Sequence, residues 1–214
     1  MTEKIRVLLA DDHKIVLEGL KSLLESEFEL VGSVENGRDL LTEVHRLRPD
    51  VIVVDISMPL LNGIEAVREI RKTDPDIKVI FLTMHPDVTY AARAFEAGAS
   101  GYVLKHSASA ELVNAIQEAV KGRTYITPII AGKLIQTYKA GNHIEDGLKA
   151  KLTARQTQVL QLLAEGYSAK RAAAIMNISP RTVEFHKYRI MEELELNTNA
   201  DLIQFAIKHG VVSP

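Results

Sequence analysis

The chain has 214 residues, of which 46% are hydrophobic and 25% charged, enough for one large globular domain or two small ones. It has no cysteine, which excludes disulfides, thiolate metal sites and thiol nucleophiles, and no apolar run reaches the roughly 20 residues that cross a bilayer. The net charge of −2 hides an asymmetry: residues 1–121 carry 14 Lys+Arg against 20 Asp+Glu, giving −6, whereas residues 149–214 carry 9 against 6, giving +3. This balance predicts an acidic and a basic module with different partners. With no signal-peptide h-region after Met1, a cytoplasmic protein is expected.

Up to residue 121, short β-branched runs alternate with longer helical periods. Val7-Leu8-Leu9-Ala10 precedes a helix with Val16, Leu20, Leu23 and Leu24 on one face. The strand Leu30–Val34 precedes Leu40, Leu41, Val44 and Leu47; Val51–Val54 precedes Ile64, Val67 and Ile70. Val79–Leu82 leads to Ala91, Ala94 and Phe95, and Tyr102–Leu104 to Leu112, Val113, Ile116 and Val120. Five βα units in series predict a five-stranded parallel, doubly wound sheet covered on both faces.

Four of these strands end on chemistry. The first runs into Asp11 and Asp12, the third into Asp55, the fourth into Thr83 and the fifth into Lys105. Strand C-termini of an open parallel sheet share one edge, where ligands bind. A lone strand-terminal Asp is more often a helix cap than a catalyst, but three carboxylates, a hydroxyl and an ammonium on one edge are a site. Crowded carboxylates repel unless a divalent cation sits among them. Mg²⁺, held by Asp12, Asp55 and the Ser57 carbonyl, meets its preference for oxygen ligands. The lysine calls for a further anion, and phosphate fits, with Asp55 as the nucleophile toward phosphorus.

Asp11-Asp12, Asp55 followed by Met58-Pro59 and Gly63, Thr83, and Tyr102 three residues before Lys105 resemble a response-regulator receiver domain over residues 4–121. The resemblance implies a flavodoxin-like fold and phosphorylation of Asp55 by a sensor histidine kinase. It assigns Asp11 and Asp12 to the acidic pocket, Lys105 to phosphate contact, and Thr83 with Tyr102 to a conformational switch. Ser57 and His85 occupy positions that tune phosphoryl lifetime in such domains. Leu17 departs from the arginine that relatives often carry. Aspartyl-phosphate phosphatases place a second Asp two residues after the first; Ser57 stands there, so turnover of an external substrate is not expected.

Residues 122–148 read as a linker, with a short helix from Thr127-Pro128 through Tyr138 and a flexible stretch over Gly141–Gly147. Four helices follow in the 149–214 module, started by Thr153, Ser168, Ser179-Pro180 and Asn199. The third has a thin apolar seam, Val183 and Ile190, opposite a face formed by Arg181, Glu184, Phe185 and Tyr188. Thr182, His186 and Lys187 flank it within reach of phosphates, the division of a recognition helix. A solvated charged helix would share the same pattern.

Leu152-Thr153 through Leu160, Leu163 through Ser168, and Ile178 through His186 resemble a LuxR-type helix-turn-helix over residues 151–212. With the receiver, the chain resembles a NarL/FixJ-type regulator, which implies phosphorylation-controlled homodimerisation on promoter DNA. Gln156-Thr157, Arg171-Ala172 and Glu195 depart from the usual pattern; the first two predict weaker scaffold interactions, and Glu195 replaces a helix-ending glycine. Glu184 and the modest charge predict weak DNA binding by one copy. Leu202, Ile203, Ala206 and Ile207 serve either the core or a dimer contact. The alternative is a phosphorylation-controlled adaptor whose tail binds protein instead of DNA.

Overall fold

Both faces of the strands at the centre of the chain are apolar, and the computed structural model places them in a two-faced parallel sheet. It describes residues 4–139 and 152–212. Strands β1 (Arg6–Ala10), β2 (Glu29–Val34), β3 (Val51–Val54), β4 (Lys78–Thr83), β5 (Gly101–Leu104) and β6 (Tyr125–Ile126) lie in the order β2-β1-β3-β4-β5-β6, every pair parallel. The expected five-stranded sheet is thus extended by a short sixth strand. A two-residue strand has too little periodicity to read locally; pairing with Gly101 and Tyr102 defines it.

Alternation along β1 sends Leu8 and Ala10 to one core and Val7 and Leu9 to the other, and β3 repeats this with Ile52 and Val54 against Val51 and Val53. Helices α1 (Lys14–Leu24) and α5 (Ala108–Val120) cover one face through Leu17, Leu20, Leu24, Leu112 and Ile116. Leu17 is therefore a core residue. Helices α2 (Gly37–Leu47), α3 (Gly63–Thr73) and α4 (Val88–Glu96) cover the other through Leu40, Val44, Ile64, Val67, Ile70, Ala91 and Ala94. Helix α6 (Pro128–Lys139) adds the buried Ile130 to that core. The Gly141–Gly147 stretch lies outside the described residues.

The second module comprises α7 (Ala154–Ala164), α8 (Ala169–Met176), α9 (Pro180–Glu193) and α10 (Asn199–Lys208) around Val159, Leu160, Leu162, Met176, Val183, Ile190, Leu202 and Ala206. Each helix starts on a side-chain cap, from Thr153, Ser168, Ser179 and Thr198. Gln156 closes a capping box with Thr153 and donates from Nε2 to Glu193 at 2.9 Å. That departure from the family pattern therefore fastens the start of α7 to the end of α9 rather than loosening the scaffold. Leu202 and Ala206 are core, whereas Ile203 and Ile207 are partly exposed.

Candidate phosphoacceptor site and nucleic-acid interface

Parallel register brings the predicted residues to one edge. Asp11, Asp55, Thr83 and Tyr102 are buried and Asp12 and Lys105 partly so, with Asp55 only 4% exposed. Lys105 Nζ lies 2.7 Å from Asp55 Oδ2 and 2.6 Å from Asp11 Oδ2, bridging the two acids. The other Asp55 oxygen accepts the backbone N–H of Ile56 at 2.7 Å. Burial pushes the Asp55 carboxyl up, against the opposing pull of Lys105. Burial works against the Lys105 ammonium too, but Asp55 and Asp11 outweigh it and hold the lysine above its ordinary value. Gly63 permits the geometry, since a Cβ there would lie 2.0 Å from the Asp55 carbonyl oxygen.

Carboxylate oxygens of Asp11, Asp12 and Asp55 and a ring nitrogen of His13 lie within 4.8 Å of one another. An oxygen-dominated set with one partly exposed acid fits a hard divalent cation. His13 was not singled out from the sequence. Its Nδ1 lies 2.8 Å from Asp12 and 3.2 Å from Asp11, so it occupies part of the acids' coordinating capacity. Its position immediately after the acidic pair was the available signal.

The Ser57 hydroxyl meets His85 Nε2 at 2.9 Å, and the His85 backbone N–H donates to Thr83 Oγ1 at 3.2 Å. Tyr102, turned inward and fully buried, donates its hydroxyl to the His85 carbonyl at 2.8 Å. Burial raises the Tyr102 phenol well beyond its usual range, so it remains a donor. Burial first, then Lys105, lowers His85 and favours the neutral imidazole. The ring of His85 stacks on Tyr90, centroids 4.2 Å apart.

The predicted recognition residues form a separate surface. On α9, Val183 and Ile190 are buried, while Arg181, Glu184, Phe185 and Tyr188 are exposed, Phe185 by 57% and Tyr188 by 68%. Thr182, His186 and Lys187 are half-buried at the flanks. Thr182 is tied to Ser179 by a hydroxyl contact of 2.8 Å. Burial, then Arg155, holds His186 below its ordinary value.

The two modules meet elsewhere. Gln161 on α7, fully buried, donates to the Met58 carbonyl at 2.9 Å and accepts from the Asn62 backbone N–H at 2.8 Å. Glu165 accepts the Leu60 N–H at 3.2 Å, and Leu60, at φ 66°, packs against the second module's core. Arg93 donates to the His209 carbonyl at 3.1 Å. The loop after Asp55 is thus gripped by α7, and the receiver leaves the α9 face open. Sequence reasoning missed Gln161; the signal was a polar residue inside Val159-Leu160-Gln161-Leu162-Leu163.

Residues 7–117 match the family model "Response regulator receiver domain", and residues 150–206 match "Bacterial regulatory proteins, luxR family". The chain is 35% identical to the transcriptional regulatory protein DegU of Brevibacillus brevis, covering 98% of this chain and 95% of that protein. It is 36% identical to the transcriptional regulatory protein MctR of Rhizobium johnstonii, covering 100% and 99%. Among solved structures it resembles RcsB of Salmonella enterica serovar Typhimurium bound to a promoter in the presence of the phosphomimetic BeF3−. The TM-score is 0.64 at 27% identity, covering 95% of this chain and 98% of that one.

Proposed function

Because the chain belongs to the NarL/FixJ-type response regulators, which join a receiver to a LuxR-family DNA-binding domain, we propose that Asp55 accepts a phosphoryl group from a sensor histidine kinase and thereby controls promoter binding. It is a DNA-binding two-component response regulator, of a family that is generally non-enzymatic. The observation that carries the assignment of Asp55 is the buried Lys105 bridge between Asp55 and Asp11. An Asp55 oxygen attacks phosphorus, a P–O bond forms, and the bond from phosphorus to the donor imidazole breaks. Lys105 shifts from its carboxylate partners to the phosphoryl oxygens, and Thr83 hydrogen-bonds the group once it arrives.

Asp12, Asp55 and the Ser57 carbonyl are the ligands we assign to Mg²⁺, with Asp11 completing the acidic pocket. When bound, the ion supplies charge neutralisation. Tyr102 reports the state of Thr83 through the His85 backbone that both contact. On DNA, Arg181, Glu184, Phe185 and Tyr188 face the major groove, and Thr182, His186 and Lys187 meet phosphates. A homodimer doubles these weak contacts on a pseudo-palindromic promoter site in the cytoplasm. The 149–214 module carries this activity, downstream of the 1–121 receiver and the 122–148 connection.

Intact mass after acetyl phosphate and Mg²⁺ tests the switch: a gain of about 80 Da in wild type but not in Asp55→Asn is expected. An adduct persisting in Asp55→Asn moves the acceptor elsewhere. Gel shifts on promoter fragments test the partner. A steep loss of affinity with salt supports DNA, and a flat response supports the protein adaptor.

A further inference from the structure

The four carbonyls from Ile56 to Pro59 are not alike. The Ile56 carbonyl accepts the N–H groups of Met58 at 3.2 Å and Gly63 at 2.8 Å, and the Pro59 carbonyl accepts that of Leu61 at 2.8 Å. The Met58 carbonyl accepts from Gln161 Nε2 at 2.9 Å, a donor that comes from the other module. Among the described residues no donor reaches the Ser57 carbonyl, so its lone pairs stay open on the loop that follows Asp55.

An open carbonyl keeps one direction only if the groups on either side of it are held. Ser57 is tied through its hydroxyl to His85 at 2.9 Å. On the other side the Met58 N–H makes only the long bond back to Ile56. The next peptide, Met58–Pro59, has no N–H, so its carbonyl is its single hydrogen-bonding group, and Gln161 takes it. The Oε1 of the same side chain accepts the Asn62 N–H at 2.8 Å. Gln161 thus spans the loop from Met58 to Asn62, and it is fully buried, so water replaces it only when the modules separate.

We propose that Gln161, a residue of the DNA-binding module, is a positioning residue for the receiver's phosphoryl site. By clamping Met58 and Asn62 it fixes the loop that presents the Ser57 carbonyl, and so raises the affinity of the acidic pocket for Mg²⁺. This rests on the assignment of that carbonyl as an Mg²⁺ ligand. A loop ordered beforehand spares the ion the cost of ordering it, which is how preorganisation raises affinity. Linkage makes the effect mutual: Mg²⁺ strengthens docking by the factor by which docking strengthens Mg²⁺.

The test is an Mg²⁺ titration of the full-length chain with no phosphoryl donor present, following by NMR the Met58 amide, whose peptide group contains the Ser57 carbonyl. Gln161→Leu should weaken Mg²⁺ binding about fivefold or more. Gly210→Ala, which disturbs the contact of α10 with α4 but leaves α7 on the loop, should bind as wild type does. Labelling by acetyl phosphate gives a second readout. In Gln161→Leu the Mg²⁺ concentration for half-maximal rate should rise by the same factor, with the rate at saturating Mg²⁺ held within about twofold. Should Gln161→Leu fail to fold, Gln161→Met, closer to glutamine in shape, carries the comparison. Equal or tighter Mg²⁺ binding in the folded variant overturns the proposal and leaves the phosphoacceptor reading standing, as does an equal loss in Gly210→Ala. No saturable Mg²⁺ binding in wild type overturns the Ser57 assignment and the proposal with it.

Discussion

The Gln161 side-chain oxygen accepts two hydrogen bonds from Asn62, one from the backbone N–H at 2.8 Å and one from Nδ2 at 3.2 Å. Asn62 in turn caps α3, accepting the Glu65 N–H at 3.0 Å. One side chain of the DNA-binding module thus reads the loop that connects Asp55 to α3. Replacing Gln161 with Leu strands the Asn62 N–H and the Met58 carbonyl. Each costs about 1–3 kcal/mol if it stays buried, so the modules separate instead and docking weakens by about 2–4 kcal/mol. Hydrogen exchange at the Leu60 and Asn62 amides should accelerate by at least about tenfold. Unchanged exchange there would mean that the bonds hold nothing.

Glu165 gives docking a pH dependence. Burial raises its carboxyl, against hydrogen bonds from Gln161 and the Leu60 N–H, whereas in separated modules the group returns to the ordinary range. The docked state therefore binds the proton more tightly. The stabilisation is fully present below the ordinary carboxylate value and is lost as pH rises through the raised one. Docking should tighten on acidification from neutral pH, and Glu165→Gln should flatten that profile while tightening docking at neutral pH. Scattering-derived compactness across pH compares the two proteins, and parallel profiles would remove Glu165 from the account.

Tyr90 and Gly210 form the other corner of the contact. A Cβ at position 210 would lie 1.4 Å from the Tyr90 hydroxyl, and Gly210 has φ +61°. Gly210→Ala should displace the end of α10 from α4 while leaving phosphorylation by acetyl phosphate unchanged. In the Tyr90→Ala background the collision is absent. The remaining cost should then be about 1–2 kcal/mol of left-handed backbone strain. Additive effects of the two substitutions on docking would show that the collision is not the cause.

Glu195 sits at φ 56° just after α9, a left-handed position without glycine. Relief of about 1–2 kcal/mol of strain outweighs the roughly 0.5–1 kcal/mol of extra chain entropy that glycine loses on folding. Glu195→Gly should raise the melting temperature of the DNA-binding module by a few degrees, about 4 °C or more per kcal/mol for so small a domain. Calorimetry reads this directly, and a fall in melting temperature would show that the Glu195 side chain contributes more than its strain costs.

The alternating βα units, the convergence of Asp11, Asp12, Asp55, Thr83 and Lys105, and the divided faces of α9 are legible in the order of residues along the chain. These follow from local periodicity and from the rule that parallel strands end on one edge. Other features arise from contacts between elements distant in the chain. Strand β6 exists because β5 is there to pair with it. Gln161 reads locally as one more polar position on a helix, and becomes a buried bridge only when a loop 99 residues away covers it. Arg38 and Arg155 line one cavity for the same reason. Local pattern encodes which face of an element is apolar; which polar groups end up sharing a buried boundary depends on contacts between modules, and these leave no period in the chain.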